Sequence, residues 1–227
     1  MCGRYTLTSS GEDLALAFEL PELPFLPPRY NMAPTQQAAV VRVTEPGGPR
    51  HLDLLKWGLI PYWAKEASIG NRMINARAES VAEKPAYRFS FKKKRCLVAA
   101  DGFYEWKKEG KAKQPFLIRR RDGKPFAFAG LWSTWKDAER GGQPVETFTI
   151  LTTSPNELMS PIHDRMPVIL DRENFALWLD PGMEDAEKLQ PLLVAHSVDD
   201  FEAFAVSRAV NSPANDFAGC IEPLVAP

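Results

Sequence analysis

Cys2 is the residue whose placement offers the most chemistry, because methionine aminopeptidases generally remove Met1 when a small residue follows it. Removal leaves a thiol and an α-amine on one carbon. Reference pKa values of about 8.5 for a thiol and about 7.7–8.0 for an α-amine give both a usable nucleophilic fraction near neutrality. An aldehyde can condense with such an amine to an imine, and the thiol can then close a five-membered thiazolidine on the imine carbon. A cysteine inside the chain cannot do this, nor can Cys2 while the α-amine belongs to Met1. A second chemistry is open to the same residue: attack of the thiol on an amide carbonyl, with its own amine as base, as in N-terminal-nucleophile amidases. Those enzymes typically build the oxyanion hole from an Asn-Gly pair, and the chain has none. The plain alternative is that Cys2 only opens a buried strand, Cys2-Gly3-Arg4-Tyr5-Thr6-Leu7. The other two cysteines, Cys96 beside Leu97 and Val98 and Cys220 beside Ile221, read as small core residues. Three cysteines without a close pair indicate neither a disulfide framework nor a zinc site, so no metal and no organic cofactor is expected.

Further segments set Cys2 in context: Met1-Cys2-Gly3-Arg4-Tyr5, Tyr30-Asn31-Met32-Ala33-Pro34-Thr35, Lys56-Trp57-Gly58-Leu59-Ile60-Pro61, Asn75-Ala76-Arg77-Ala78-Glu79, Gly102-Phe103-Tyr104-Glu105-Trp106, Ala129-Gly130-Leu131-Trp132 and His163-Asp164-Arg165-Met166-Pro167. In this order, over nearly the whole chain, they closely resemble the SOS response-associated peptidase family, also called abasic site processing proteins. The resemblance implies a Cys2 thiazolidine crosslink to abasic single-stranded DNA, whose ring-opened deoxyribose presents an aldehyde. Such a crosslink shields the lesion from nucleases and error-prone bypass. The peptidase label fits removal of the chain's own Met1, and a lyase step on the abasic strand is a further expectation. The resemblance also carries over catalytic roles for Asn75, Glu105 and His163. Glu105 stands between two aromatics, where a carboxylate tends to be held protonated and can shuttle protons; a glutamate on a surface strand is the plainer reading. His163, in a proline-bounded loop, suits donation of a proton to the sugar ring oxygen, imidazole having a reference pKa of about 6.5. Its alternative is a loop-stabilising bond to Asp164. Asn75 can donate and accept at once, so it can orient the Cys2 amine or hold main chain, or simply form a turn.

Arg4, Arg77 and Arg165 are candidates for phosphate contacts, since a guanidinium matches phosphate oxygens in a fork, although surface ion pairs are the common use. Trp63 and Trp106 are candidates for stacking on unpaired bases, although tryptophan is more often core. The net charge of −1 argues against coating nucleic acid by bulk charge. Charge is unevenly spread, however. Residues 72–95 carry eight basic side chains against Glu79 and Glu83, whereas 180–202 carry seven acidic ones against Lys188. Either run can be a solvated face. The expected partner is single-stranded DNA containing abasic sites, with replication-fork proteins as further partners and no membrane. The chain is expected to be a cytosolic monomer, nucleoid-associated when bound to DNA. A plain single-strand binding module would explain the basic run and the aromatics but not the set Cys2, Glu105 and His163.

The elements that must position these groups are mostly strands. Runs at 37–43, 52–58, 95–106, 115–121, 125–132 and 146–153 are β-rich, with short strands near 166–170 and 203–207 and a turn at Asp122-Gly123. Ser9 or Ser10 caps a helix that ends before Pro21. Asp171 is expected to cap another through Leu179, and a third spans 184–194. Pro21 to Pro34 reads as ordered but irregular chain. The whole of 1–227 is expected to form one α+β domain, a mainly antiparallel, curled, barrel-like sheet with a few peripheral helices.

Overall fold

The structure, a computed structural model, describes residues 2–137 and 142–224. Its strands are β1 (Tyr5–Leu7), β2 (Arg29–Met32), β3 (Gln37–Arg42), β4 (His51–Trp57), β5 (Asn75–Arg77), β6 (Arg95–Ala100), β7 (Gly102–Glu109), β8 (Ala112–Arg120), β9 (Phe126–Trp135), β10 (Val145–Thr153), β11 (Met166–Pro167), β12 (Ile169–Leu170) and β13 (Phe201–Ala205). The helices are short: α1 (Gly11–Phe18), α2 (Arg88–Lys93), α3 (Phe175–Leu179) and α4 (Ala186–Leu189).

Strands β10, β4, β3, β6 and β9 pair in turn, and β9 pairs back onto β10, closing a five-stranded barrel. All pairs in the ring are antiparallel except β4 with β10. A second sheet runs β13-β8-β7-β1-β2. The expected α+β class with a barrel-like core is what the chain adopts. Alternation along the strands explains how both faces of the barrel wall are buried. Val40, Leu55, Val98, Phe128, Phe148 and Ile150 join one apolar cluster, which also takes in Cys2, Tyr5 and Phe103. Their neighbours Val41, Leu97, Ala129 and Leu151 join another, covered by Leu14 and Phe18 of α1 and by Trp178 of α3.

Residues 95–106 form two strands in two sheets rather than one. The break is at Asp101, whose carboxylate accepts from the Thr8 and Ser9 backbone N–H groups and from both their hydroxyls. This corner leads the chain out of the barrel wall and into the sheet that carries Glu105. The basic segment also departs from the sequence pattern. Arg95 is buried, donating to the carbonyls of Phe91, Lys92, Trp178 and Asp180. Lys93 pairs with Glu184, so neither cation belongs to an open basic face. Asp171 does not cap a long helix through its side chain; a 3-10 turn, Arg172–Asn174, precedes α3, and the carboxylate meets His196 Nε2 at 2.9 Å. The helix expected over 184–194 is only α4 plus a 3-10 turn, since Pro191 has no N–H to continue it. The proline-rich stretch is irregular until Arg29–Met32, where it becomes β2. No helix among the described residues is long and apolar enough to cross a membrane.

Candidate active site

Cys2 lies where the second sheet meets the barrel. Tyr5 pairs with Phe103 in antiparallel register, and Tyr104 N–H donates to Arg4 O at 3.0 Å. Continued toward the N-terminus, this register sets the Cys2-Gly3 segment alongside Glu105. Asn75 reaches the same point from the other side, its Nδ2 donating to Cys2 O at 2.9 Å. Asn75 is held by parallel pairing of β5 with β10, opposite Ile150. The loop before it is fixed by a close approach of two glycines. Gly58 has φ +127°, and a Cβ there would lie 2.6 Å from Gly70 O. That contact folds the loop back so that Leu59 N–H meets Met73 O at 3.1 Å.

The electrostatics follow from burial. Cys2 is fully buried, and burial pushes its thiol pKa well up, with the neighbouring Glu105 charge adding to the rise. Glu105 is 2% exposed, and burial raises its carboxyl above the usual carboxylate range, with the positive side of His163 among the opposing influences. His163 Nε2 lies 4.0 Å from Glu105 Oε2. A carboxyl whose hold on its proton is strengthened by burial, a thiol kept neutral by burial and an imidazole therefore lie close together, in surroundings where burial strengthens their electrostatic interactions. Asn75 Oδ1 is buried without a hydrogen-bond partner among the described residues, which leaves an acceptor beside the Cys2 main chain.

The structure thus brings together Cys2, Asn75, Glu105 and His163, from four distant parts of the chain. The other sequence candidates are more dispersed in role. Arg4 is half-buried on the Cys2 segment, its Nε without a hydrogen-bond partner among the described residues. Arg77 is exposed, two residues beyond Asn75. Arg165 is held in a fork by Glu79 and donates to Thr152 O, so its charge is already matched. Trp106 is half-buried, with its indole N–H on Asn211 Oδ1 at 2.7 Å. Trp63 is 49% exposed, next to exposed Tyr62, whose ring packs on that of Phe89 with centroids 5.5 Å apart. Sequence reasoning passed over Tyr62 and Phe89. The one available signal was an aromatic beside Arg88 in a basic run, where an exposed ring has no reason to serve the core.

The sequence profile of the SOS response associated peptidase (SRAP) family matches residues 1–213. The chain belongs to that family. Among SRAP relatives, a protein of Bacillus subtilis (strain 168) named abasic site processing protein YoqW is 47% identical over 228 residues, covering 98% of this chain and 99% of its own. Abasic site processing protein YedK of Escherichia coli (strain K12) is 36% identical over 234 residues, covering 99% of this chain and 100% of its own. A crystal structure of a Bacteroides thetaiotaomicron protein superposes with a TM-score of 0.87 at 26% identity, covering 99% of this chain and 100% of that one.

Proposed function

We propose that this chain processes abasic sites in single-stranded DNA by bonding to them covalently through Cys2 once Met1 has been removed. The observation that carries the reading is the enclosure of Cys2 between the Asn75 arm and the buried Glu105, whose burial strengthens its hold on a proton, with His163 Nε2 4.0 Å from that carboxyl. The names of the SRAP relatives point to the same lesion.

In the proposed sequence protonated His163 gives a proton to the deoxyribose ring oxygen as the ring opens, and the C1′ hydroxyl gives up its own proton to the imidazole in return, exposing an aldehyde at C1′. The Cys2 amine, oriented by Asn75, adds to that carbon. In its protonated form Glu105 delivers its proton to the hydroxyl, which departs as water and leaves a protonated imine. The Cys2 sulfur then bonds to the carbon of the protonated imine as its S–H proton passes to the Glu105 carboxylate, which leaves a neutral thiazolidine and restores the carboxyl proton. A thiol held neutral by burial suits this last step, because S–C bond formation and loss of the S–H proton occur together. Exposed Arg77 and the Tyr62, Trp63 and Phe89 surface supply the phosphate contact and base stacking. Loss of Met1 through the chain's own site and cleavage of the abasic strand by β-elimination belong to the same reading.

Incubation with single-stranded oligonucleotides, with and without an abasic site, followed by denaturing electrophoresis tests it. A band that survives denaturation only with the abasic strand is expected. A non-covalent module gives no such band, and an amidase gives amide hydrolysis without need of an aldehyde.

A further inference from the structure

We propose that Asn156 is a positioning residue for this chemistry: its side-chain amide sets the loop that presents His163 against the sheet that presents Glu105. The inference rests on the reading of Cys2, Glu105 and His163 given above. Thr153 of β10 pairs with Met166 of β11, and the loop between them, residues 154–165, carries both Asn156 and His163. Helical hydrogen bonds run from one to the other: Ser160 N–H donates to Asn156 O at 2.9 Å, and His163 N–H donates to Met159 O at 2.9 Å. Asn156 caps the start of that run. Its Oδ1 accepts from Met159 N–H at 3.0 Å, the bond that an asparagine N-cap makes to the third residue after it. Met159 and Met166 are buried in the apolar cluster that also holds Cys2, so the loop is rooted in the core.

The other end of the amide reaches a different part of the fold. Asn156 Nδ2 donates to His196 O at 2.9 Å, and the partners fix the amide's orientation, because an N–H can only donate and a carbonyl only accept. His196 is held on the side of the second sheet: its ring meets that of Phe201 edge-on, centroids 5.3 Å apart, and its Nε2 lies 2.9 Å from Asp171 Oδ1. Phe201 opens β13, which pairs with β8, and β8 pairs with β7 so that Phe116 stands opposite Glu105. Asn156 therefore couples the His163 loop to the sheet that carries Glu105. The Arg165 end of the loop is tied instead to Glu79 and to Thr152 O, on the Asn75 side. With its two ends fixed to different sheets, the loop relies on the Asn156 bond to keep His163 Nε2 within 4.0 Å of Glu105 Oε2.

Crosslinking rates are compared on two single strands, one with the ring-closed abasic deoxyribose and one with an open-chain aldehyde that lacks a hydroxyl to close on it. Asn156→Ala removes both arms of the amide, whereas Asn156→Asp keeps the cap and turns an acceptor toward the His196 carbonyl. Each should slow crosslinking to the ring-closed strand about tenfold, a part of the roughly 10²-fold that a general acid supplies, and leave the open-chain strand at the parental rate. Asn156→Asp serves if the alanine variant does not fold. Nitrogen-15 labelling of histidine reads the placement without DNA; the chain has three histidines, and His163→Ala assigns the signals. Glu105→Gln should move the His163 ring signals in the parent and leave them in place in the Asn156→Asp background. Equal slowing on both strands, no slowing on either, or a His163 response to Glu105→Gln that is the same in both backgrounds overturns the proposal. Failure of the unmutated protein to crosslink with either strand would instead strike the reading of Cys2, and the spectra would still decide whether Asn156 sets His163 against Glu105.

Discussion

Cys96 in the barrel wall and Cys2 at the seam between the sheets sit in the same buried cluster, and burial pushes both thiols well above the ordinary range. Cys96 is packed by geometry: a Cβ on Gly130 of the neighbouring strand would come within 2.8 Å of its sulfur. Cys2 is surrounded instead by polar groups, the Asn75 amide on its carbonyl and the Glu105 carboxyl near its thiol. Burial by itself thus makes a cysteine inert. What separates the seam from the wall is the company of polar groups, together with the amine that only an N-terminal residue can offer.

The comparison breaks most sharply under substitution of the two cysteines. Cys2→Ala should abolish the stable adduct and leave only a reversible imine, trapped by borohydride and able to nick the abasic strand. Cys96→Ala should crosslink at the parental rate and cost stability alone, on the order of 1 kcal/mol in a denaturant titration. Loss of the adduct in Cys96→Ala would remove the distinction.

Glu105→Gln comes next. It should slow crosslinking by about 10²-fold or more while binding of an unmodified strand is retained. The unmutated rate should fall as pH rises through the elevated Glu105 pKa, and the variant should lose that limb. The stability sign is also fixed. The folded carboxyl binds its proton more tightly than the unfolded one, so the cost of burying its charge is absent below the ordinary carboxylate range and grows as pH rises toward the raised value. Glu105→Gln should accordingly be more stable than the parent at neutral pH and lose that advantage in acid. Equal loss of affinity and rate would make Glu105 structural.

Gly58→Ala tests the loop that sets Asn75. A φ of +127° and a Cβ 2.6 Å from Gly70 O should cost more than about 1 kcal/mol, and crosslinking should slow with it. A melting temperature and rate matching the parent would show that the loop does not position Asn75. The smallest effect is expected at Arg77→Ala, which should reduce the salt dependence of single-strand binding by a slope of about 0.7, the share of one phosphate. An unchanged slope would take Arg77 off the DNA surface.

Much of the barrel was legible because several of its runs carry β-branched or aromatic residues in period-two alternation. The ring closure was not, since the parallel contact of β4 with β10 joins residues some ninety apart and leaves no local pattern. Nor was β5, three residues long and stabilised by its neighbour rather than by its own composition. Arg95 looked like one more cation in a basic run; only the tertiary fold brings four carbonyls around it. The four residues proposed for the site were picked out through motif resemblance, supported by the chemistry open to an N-terminal cysteine.

Intact mass measurement on two forms of the protein, one processed to begin at Cys2 and one bearing an extra, uncleaved segment before it, each incubated with an abasic single strand, tests the central claim most directly. The processed form should gain the mass of the oligonucleotide less one water and keep it through heat and denaturant, whereas the extended form should gain nothing. A heat-stable adduct of the same mass on the extended form would contradict the N-terminal thiazolidine mechanism.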